Sequence, residues 1–233
     1  MTHYIFLDTE TTSADPDRGV CDLAFVITDD QFNILDERES LIDPEKPISP
    51  SASGVHGLTN EDCEDAPTLS EFFSDLDHTA CYGGPLPGPA VIIGHRVSFD
   101  THTIGKYVDG DFTELCTLRW VRRLYPDADD HKLTTMMFAL GLPRPENAHR
   151  ALSDVYSAMY LCQHISARTG LSLAQLAEAS LQPFELAYYP FGKHKGTAFK
   201  DVPKSYLRWA RENMKDLDQD MRFTIDLHLS RKS

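Results

Sequence analysis

The chain has 233 residues, 41% of them hydrophobic, and a net charge of −14, which is enough for one full domain with a small appendage. This composition excludes fibrous and wholly disordered proteins, and no window has the unbroken apolar run that a membrane span requires. The first residues lack the features of a secretory signal, and the five cysteines are odd in number and widely spaced. We therefore expect a cytoplasmic protein without disulfides.

The acidic charge is unevenly distributed along the chain. Residues 1–183 carry 12 basic and 29 acidic side chains, whereas residues 184–233 carry 10 and 7. The acidic part could hold divalent cations, and the basic tail could contact an anion. We predict a main domain over residues 1–181 and a small basic C-terminal module over residues 182–233, packed on the main domain or tethered to it.

Apolar patterns in the first half of the chain predict an α/β sheet that opens with a hairpin. Strands are predicted over residues 3–8, 22–28, 32–43 and 90–94, with the hairpin turn near Asp29 and Asp30. A helix is predicted over 68–80, and the Gly- and Pro-rich stretch 83–89 is predicted to be a loop.

The second half of the chain has mainly helical patterns. One helix is predicted to begin near Ser98, with this serine as its N-cap. The longest predicted helix covers 150–169 and ends at Gly170. The other predicted elements are helices over 98–107, 117–125, 131–140, 172–180 and 206–214 and a linker over 182–190.

Four acidic residues stand where the predicted elements begin or end. Asp8 and Glu10 are two residues apart at the end of a strand, so both carboxylates face one side. Asp100 follows the fourth strand, and Asp154 lies near the start of the longest helix. Each acid alone is more often structural, but together they predict a cluster in the crevice at the strand ends. Clustered carboxylates repel unless they are protonated or bridged by a metal, and oxygen ligands favour Mg²⁺ or Mn²⁺.

A histidine accompanies the predicted carboxylate cluster. His149 lies five residues before Asp154, and a neutral imidazole can accept a proton at neutral pH. Two divalent ions a few ångströms apart are the usual means of promoting in-line attack on a phosphodiester. The residues therefore predict metal-assisted hydrolysis.

Three motifs resemble those of the DEDDh 3′–5′ exonucleases: DTETT at 8–12, HRVSFD at 95–100 and HRALSD at 149–154. The segment 47–72 also resembles the family's sequence after its third strand. The tail, with FGKHKG at 191–196 and YLRW at 206–209, resembles that of a DNA-degrading member. The resemblance implies an RNase H-like three-layer fold, with a central mixed sheet opened by a hairpin, and two Mg²⁺ ions that Mn²⁺ can replace.

The resemblance also implies roles for the matching residues. Asp8, Glu10 and Asp154 would bind one ion, Asp8 would bridge to the second, and Asp100 would act at the second. His149 would be the general base. The substrate contacts implied by the motifs and the tail are Thr11, Thr12, Val55, His56, Phe99, Lys193 and Lys195.

Two positions depart from the family pattern. Ser13 stands where members usually have glycine, and Arg96 stands where many have asparagine. The Arg96 side chain could contact a phosphate or pair with a surface acid, and we slightly favour the ion pair.

The resulting functional prediction is a 3′–5′ exodeoxyribonuclease that releases nucleoside 5′-monophosphates, in DNA repair, recombination or nucleic-acid degradation. Its expected partners are single-stranded DNA or DNA 3′ ends, including duplexes with overhangs, and a second copy of the chain in a homodimer. The alternatives are an exoribonuclease or oligonuclease, a nucleotide phosphohydrolase, and a module that binds nucleic acid or a polymerase without cutting.

Overall fold

A computed structural model describes residues 2–15, 17–79, 90–107, 111–145, 149–215 and 217–231. Five strands form one sheet in the order β3-β2-β1-β4-β5. Their bounds are β1 (His3–Thr11), β2 (Val20–Thr28), β3 (Ile34–Leu41), β4 (Ala90–Gly94) and β5 (Phe112–Cys116). The predicted loop over 83–89 and the last residue of the predicted helix over 68–80 lie outside the described residues.

The sheet is mixed and opens with a hairpin, as predicted. β1, β2 and β3 pair antiparallel in chain order, whereas β4 is parallel to both β1 and β5. The sequence analysis missed β5, whose FTELC sequence is short and only partly buried at the sheet edge. A short edge strand has no continuous apolar run, so its pattern does not distinguish it from a loop.

Helices cover both faces of this sheet. The helices of the described part of the chain, with those of the C-terminal residues, are α1 (Pro50–His56), α2 (Asn60–Cys63), α3 (Leu69–Thr79), α4 (Ser98–Ile104), α5 (Thr117–Leu124), α6 (Leu133–Ala139), α7 (Ala151–Thr169), α8 (Leu173–Ser180), α9 (Lys204–Asn213) and α10 (Gln219–Ser230). The predictions omitted α1, α2 and α10. The prediction that Ser98 is the N-cap of α4 was wrong. Val97 occupies the cap position with backbone angles that are already helical, φ −48° and ψ −28°, so Ser98 lies within the first turn.

Successive residues of β1 point to opposite faces and divide the core into two layers. Phe6 packs in a cluster with Trp120 and Val155, from α5 and α7. Ile5 packs in the other cluster with Phe73 and Ile104, from α3 and α4. Because both faces are covered, the central strands contain long apolar runs, which is why they were recognisable from sequence. The result is the three-layer RNase H-like architecture.

The C-terminal residues have a small core of their own. It includes Leu186, Tyr189, Phe199, Leu207 and Ile225. This module packs on the main domain through a bidentate ion pair, in which Nε and Nη2 of Arg119 each lie 2.7 Å from a carboxylate oxygen of Asp220.

The segment 182–190 was predicted to be a linker, but it contains buried anchors. Phe184 belongs to the main core, with its ring centroid 5.0 Å from that of Trp120, and Leu186 and Tyr189 belong to the module core. The segment therefore joins the two cores through packed side chains. No helix in the described part of the chain is both long and apolar enough to cross a membrane.

Candidate active site

The end of β1 and the start of α7 bring three of the predicted residues together. Asp8 and Glu10 are half-buried on β1, on either side of the buried Thr9. One ligand atom each from Glu10, His149 and Asp154 lie within 4.8 Å of one another. The fold thus assembles this group from two segments that are about 140 residues apart in the sequence.

Asp100, on α4, is not part of this group of three, but its charge acts on Glu10. Its side chain is 4% exposed, and Oδ1 accepts hydrogen bonds from the backbone nitrogen of Thr9 at 3.0 Å and from Oγ1 of Thr9 at 2.7 Å. These bonds attach α4 to β1 between Asp8 and Glu10. Burial raises the pKa of Asp100 to about 7, although the bonds from Thr9 lower it.

The other carboxyl groups also hold protons more tightly than usual. Burial, followed by the charges of Asp154, Asp22 and Asp100, raises the pKa of Glu10 to about 8. Burial and the neighbouring carboxylates raise the pKa of Asp8 well above its ordinary value. Burial also raises the pKa of Asp154, while His149 lowers it. A divalent cation would relieve this repulsion, and four carboxylates beside one imidazole are a donor set that suits Mg²⁺ or Mn²⁺.

The backbone at His149 and Arg96 is strained. His149 has φ +66° and Arg96 has φ +79°, in the left-handed region that residues other than glycine seldom adopt. Such conformations cost free energy and are common at functional sites. At His149 the unusual backbone accompanies an exposed imidazole beside Glu10 and Asp154.

The sequence analysis missed Asp22, which supports the site from β2. Asp22 is fully buried, and its Oδ2 lies 2.7 Å from Nε of Arg150, the residue between His149 and α7. The same oxygen accepts a 3.3 Å hydrogen bond from the backbone nitrogen of Ala151. An isolated acid within the apolar strand sequence VCDLAFVIT was the available signal.

The two threonines predicted to contact substrate use their hydroxyl groups within the protein. Oγ1 of Thr11 donates to the backbone oxygen of Ser13 at 2.8 Å. Oγ1 of Thr12 accepts from the backbone nitrogen of Gly19 at 3.0 Å. Both threonines are buried, and their contact with the 3′ end of a substrate remains a prediction.

Val55 and Phe99 present apolar surface. Val55 is 56% exposed on α1. The ring of Phe99 is half-buried, with the guanidinium carbon of Arg18 3.6 Å from its centroid. Nη2 of Arg18 also donates to the backbone oxygen of Phe99 at 2.6 Å. Their contact with a terminal nucleotide remains a prediction.

The rings of His56 and His95 contact other groups within the fold. Nδ1 of His56 accepts a 3.1 Å bond from the backbone nitrogen of Leu58, Nε2 lies 3.8 Å from Sγ of Cys21, and burial lowers its pKa. Nδ1 of His95 lies 2.9 Å from Oγ1 of Thr117, and burial lowers the pKa of His95 to about 4. Both rings are therefore neutral at physiological pH. The predicted role of His56 in lining the substrate pocket stays a prediction.

A cleft of about 610 Å³ adjoins the carboxylate group and is lined by both His149 and Asp154. Lys195 of the module also lines it, whereas Lys193 is exposed elsewhere on the module. Arg96 lines the cleft too, and it forms no ion pair with any residue that the structure describes. The expected ion pair of Arg96 is thus not seen among the described residues, and its contact with a phosphate or with a surface acid stays a prediction.

Comparison with known proteins agrees with this arrangement. Residues 5–162 match a family model described as Exonuclease, and residues 178–214 match a short model named for a quorum-sensing-regulated virulence factor. Exodeoxyribonuclease 10 of Escherichia coli strain K12 is 27% identical, over 96% of this chain and 97% of that protein. A PolC-type DNA polymerase III of Bacillus cereus is 30% identical, over 68% of this chain and 11% of the polymerase.

Solved structures give the same result for the fold. A structure described as Exonuclease X in complex with 5′ overhanging duplex DNA is 26% identical, with a TM-score of 0.57, over 76% of this chain and 98% of that one. Exonuclease I of E. coli, in complex with a dT13 oligonucleotide, is 20% identical with a TM-score of 0.60, over 73% of this chain and 42% of that one.

Proposed function

Because the chain belongs to the exonuclease family and is a nuclease hydrolase, we propose that it removes nucleotides one at a time from the 3′ ends of DNA. The observation that carries the proposal is the convergence of Glu10, His149 and Asp154 within 4.8 Å. Asp8 and Asp100 stand outside that group of three, but their charges act on it, and all five residues lie within the part of the chain that matches the family.

The donor set and its raised pKa values support a divalent-metal site. Asp8, Glu10, Asp100 and Asp154 would hold two Mg²⁺ ions, for which Mn²⁺ can substitute. Bound there, the ions would supply neutralisation of the phosphodiester's charge and activation of the attacking water.

The protein's own groups would do the rest of the chemistry. His149 accepts the proton of the attacking water through its imidazole, while Asp22 and Arg150 hold the start of α7 in place. Water attacks phosphorus, and the bond from phosphorus to the 3′ oxygen of the preceding nucleotide breaks. The phosphate stays on the departing residue, so the product is a nucleoside 5′-monophosphate. The exposed apolar surfaces of Val55 and Phe99 suit the base and sugar of that terminal nucleotide.

DNA is the preferred substrate class in this proposal. Its support is the relative named Exodeoxyribonuclease 10, which aligns over nearly the whole chain, and the neighbour described in complex with duplex DNA. The basic charge of residues 184–233 also favours a polyanionic partner.

A denaturing-gel time course tests the proposal. Single-stranded DNA and RNA of one sequence, each labelled at the 5′ end, are incubated with Mg²⁺ or with EDTA. We expect a ladder that shortens from the 3′ end on DNA, requires Mg²⁺ and is lost in Asp154→Asn. Asp65→Asn, at an exposed position on the surface, is the matched control and should behave as wild type. Immediate release of the labelled nucleotide, or undiminished cleavage in EDTA, would contradict the proposal.

A further inference from the structure

The cleft beside the catalytic group extends to the C-terminal module. His149 and Asp154 line it together with Tyr188 and Lys195 of the module. None of Thr11, Thr12, Val55 and Phe99, where the terminal nucleotide is expected, is among the lining residues. The cleft is therefore distinct from the expected site of the terminal nucleotide, although His149 and Asp154 of the catalytic group line it.

The cleft has basic side chains from both parts of the protein. Arg96, Arg122 and Lys132 come from the main domain and Lys195 from the module. Lys132 and Lys195 are exposed, and Arg96 makes no ion pair within the described part of the chain. Nη1 of Arg122 lies 3.5 Å from Oδ2 of Asp218. The other three cations provide contacts for a phosphate backbone.

An aromatic ring is fixed in the same cleft. Tyr188 is 37% exposed, and its hydroxyl donates a 2.8 Å hydrogen bond to Oδ1 of Asp127, in the loop between α5 and α6. This bond links the module to the main domain across the lining of the cleft. An exposed ring held in place in this way is a surface on which a base can stack.

We propose that this cleft binds the single-stranded part of the substrate that precedes the cleaved nucleotide, and that the C-terminal module forms one of its walls. The proposal rests on the proposed function. It assigns to Lys132, Tyr188 and Lys195 a role in binding the strand beyond the reacting phosphodiester.

The acidic residues of the cleft orient the strand. Asp127, Asp129 and Asp130 also line it, and their charges repel phosphates. Carboxylates can instead accept hydrogen bonds from the amino groups of bases. The arginines and lysines of the cleft therefore favour contacts with phosphates, and its aspartates favour contacts with the amino groups of bases.

The test compares two double variants that remove the same charge. Lys132→Gln/Lys195→Gln alters the cleft, and Lys200→Gln/Arg208→Gln removes two exposed basic residues of the module that do not line it. The value of kcat/KM is measured for an oligodeoxythymidylate of about 20 nucleotides and for the dinucleotide, which has only one nucleotide beyond the reacting phosphodiester. The dissociation constant of the longer substrate is also measured over a series of salt concentrations.

We expect the cleft variant to lose about tenfold in kcat/KM on the longer strand and nothing on the dinucleotide. Its slope of log affinity against log salt should fall by about 1.4, or about 0.7 for each lost phosphate contact. The control variant should match wild type in kcat/KM and in the salt slope. An equal loss on both substrates, or cleft and control variants that behave alike, would overturn the role of the cleft while leaving the proposed function standing. A wild-type protein that cleaves neither substrate would reject the proposed function itself.

Discussion

The carboxylate of Asp22 lies 2.7 Å from the guanidinium of Arg150, and this ion pair connects the middle of the sheet to the first turn of α7. Asp22 stands opposite Glu10 in the register of β1 and β2, and Arg150 directly follows His149. The other carboxylate oxygen of Asp22 is buried and has no hydrogen-bond partner within the described part of the chain. The ion pair therefore holds the strand next to Glu10 against the segment that carries His149 and Asp154.

This ion pair predicts an asymmetric loss of stability. Arg150→Met leaves the charge of Asp22 fully buried without its partner, and we expect a loss of about 3–5 kcal/mol in the free energy of unfolding. Asp22→Asn leaves only Arg150, whose side chain is 36% exposed and can be solvated, so its loss should be smaller. Urea unfolding of both variants measures the difference. Equal losses would show that the ion pair does not set the stability of this region.

Removal of the proposed base should lower kcat. We expect His149→Ala to lose a factor of about 10²–10⁴ in kcat, the usual contribution of a general base, with a smaller change in KM. His102→Ala, which alters an exposed histidine of α4, is the control and should retain wild-type kcat. Steady-state kinetics on a short DNA strand gives both parameters. A His149→Ala enzyme within threefold of wild type would exclude the imidazole as the base.

The crowded carboxyl groups predict that the metal-free protein loses stability as pH rises. The pKa of Glu10 is about 8 and that of Asp100 about 7, against ordinary values of 4.5 and 3.8. Between about pH 4 and pH 8 the folded state thus binds more protons than the unfolded state, and the free energy of unfolding falls with rising pH.

Divalent cations should oppose this loss, because they stabilise the ionised carboxylates. The measurement is the urea midpoint from pH 4 to pH 8, with EDTA and with Mg²⁺. We expect a downward slope in EDTA that Mg²⁺ reduces and that Glu10→Gln/Asp100→Asn makes shallower, with Asp8 and Asp154 accounting for the remaining slope. A stability in EDTA that increases over this range would contradict the assignment.

The attachment of the module depends on a buried ion pair. Asp220 is 1% exposed, accepts both bonds from Arg119 and also accepts from the backbone nitrogen of Phe184 at 2.7 Å. We expect Arg119→Met to cost about 3–5 kcal/mol and to expose residues 182–190 to proteolysis. Arg211→Met, which breaks an exposed pair with Asp226, should cost at most about 1 kcal/mol. Limited proteolysis with thermal unfolding compares the two variants, and similar behaviour would reject this anchoring role.

The accuracy of the fold prediction varied with burial. β1, β2 and β4 were predicted because strands covered on both faces contain long apolar runs, and α7 because nineteen residues show a clear helical period. β5, α1 and α2 were missed because four to seven residues at an edge or in a loop show too few periods to distinguish helix, strand and turn. Ser98 was misplaced as a cap because the backbone of the preceding residue decides where a helix begins.

The sequence by itself determined the residue types and the order of the site: four carboxylates and a histidine in three motifs, each at the end of a predictable element. Spacing along one element carries this information, since the strand and helix periods fix which side chains share a face. Only the tertiary structure decided what surrounds them. Asp22 and Arg150 are 128 residues apart, and the cleft has walls from both the main domain and the C-terminal module. Such contacts follow from how whole elements pack, and no local pattern in the chain specifies them.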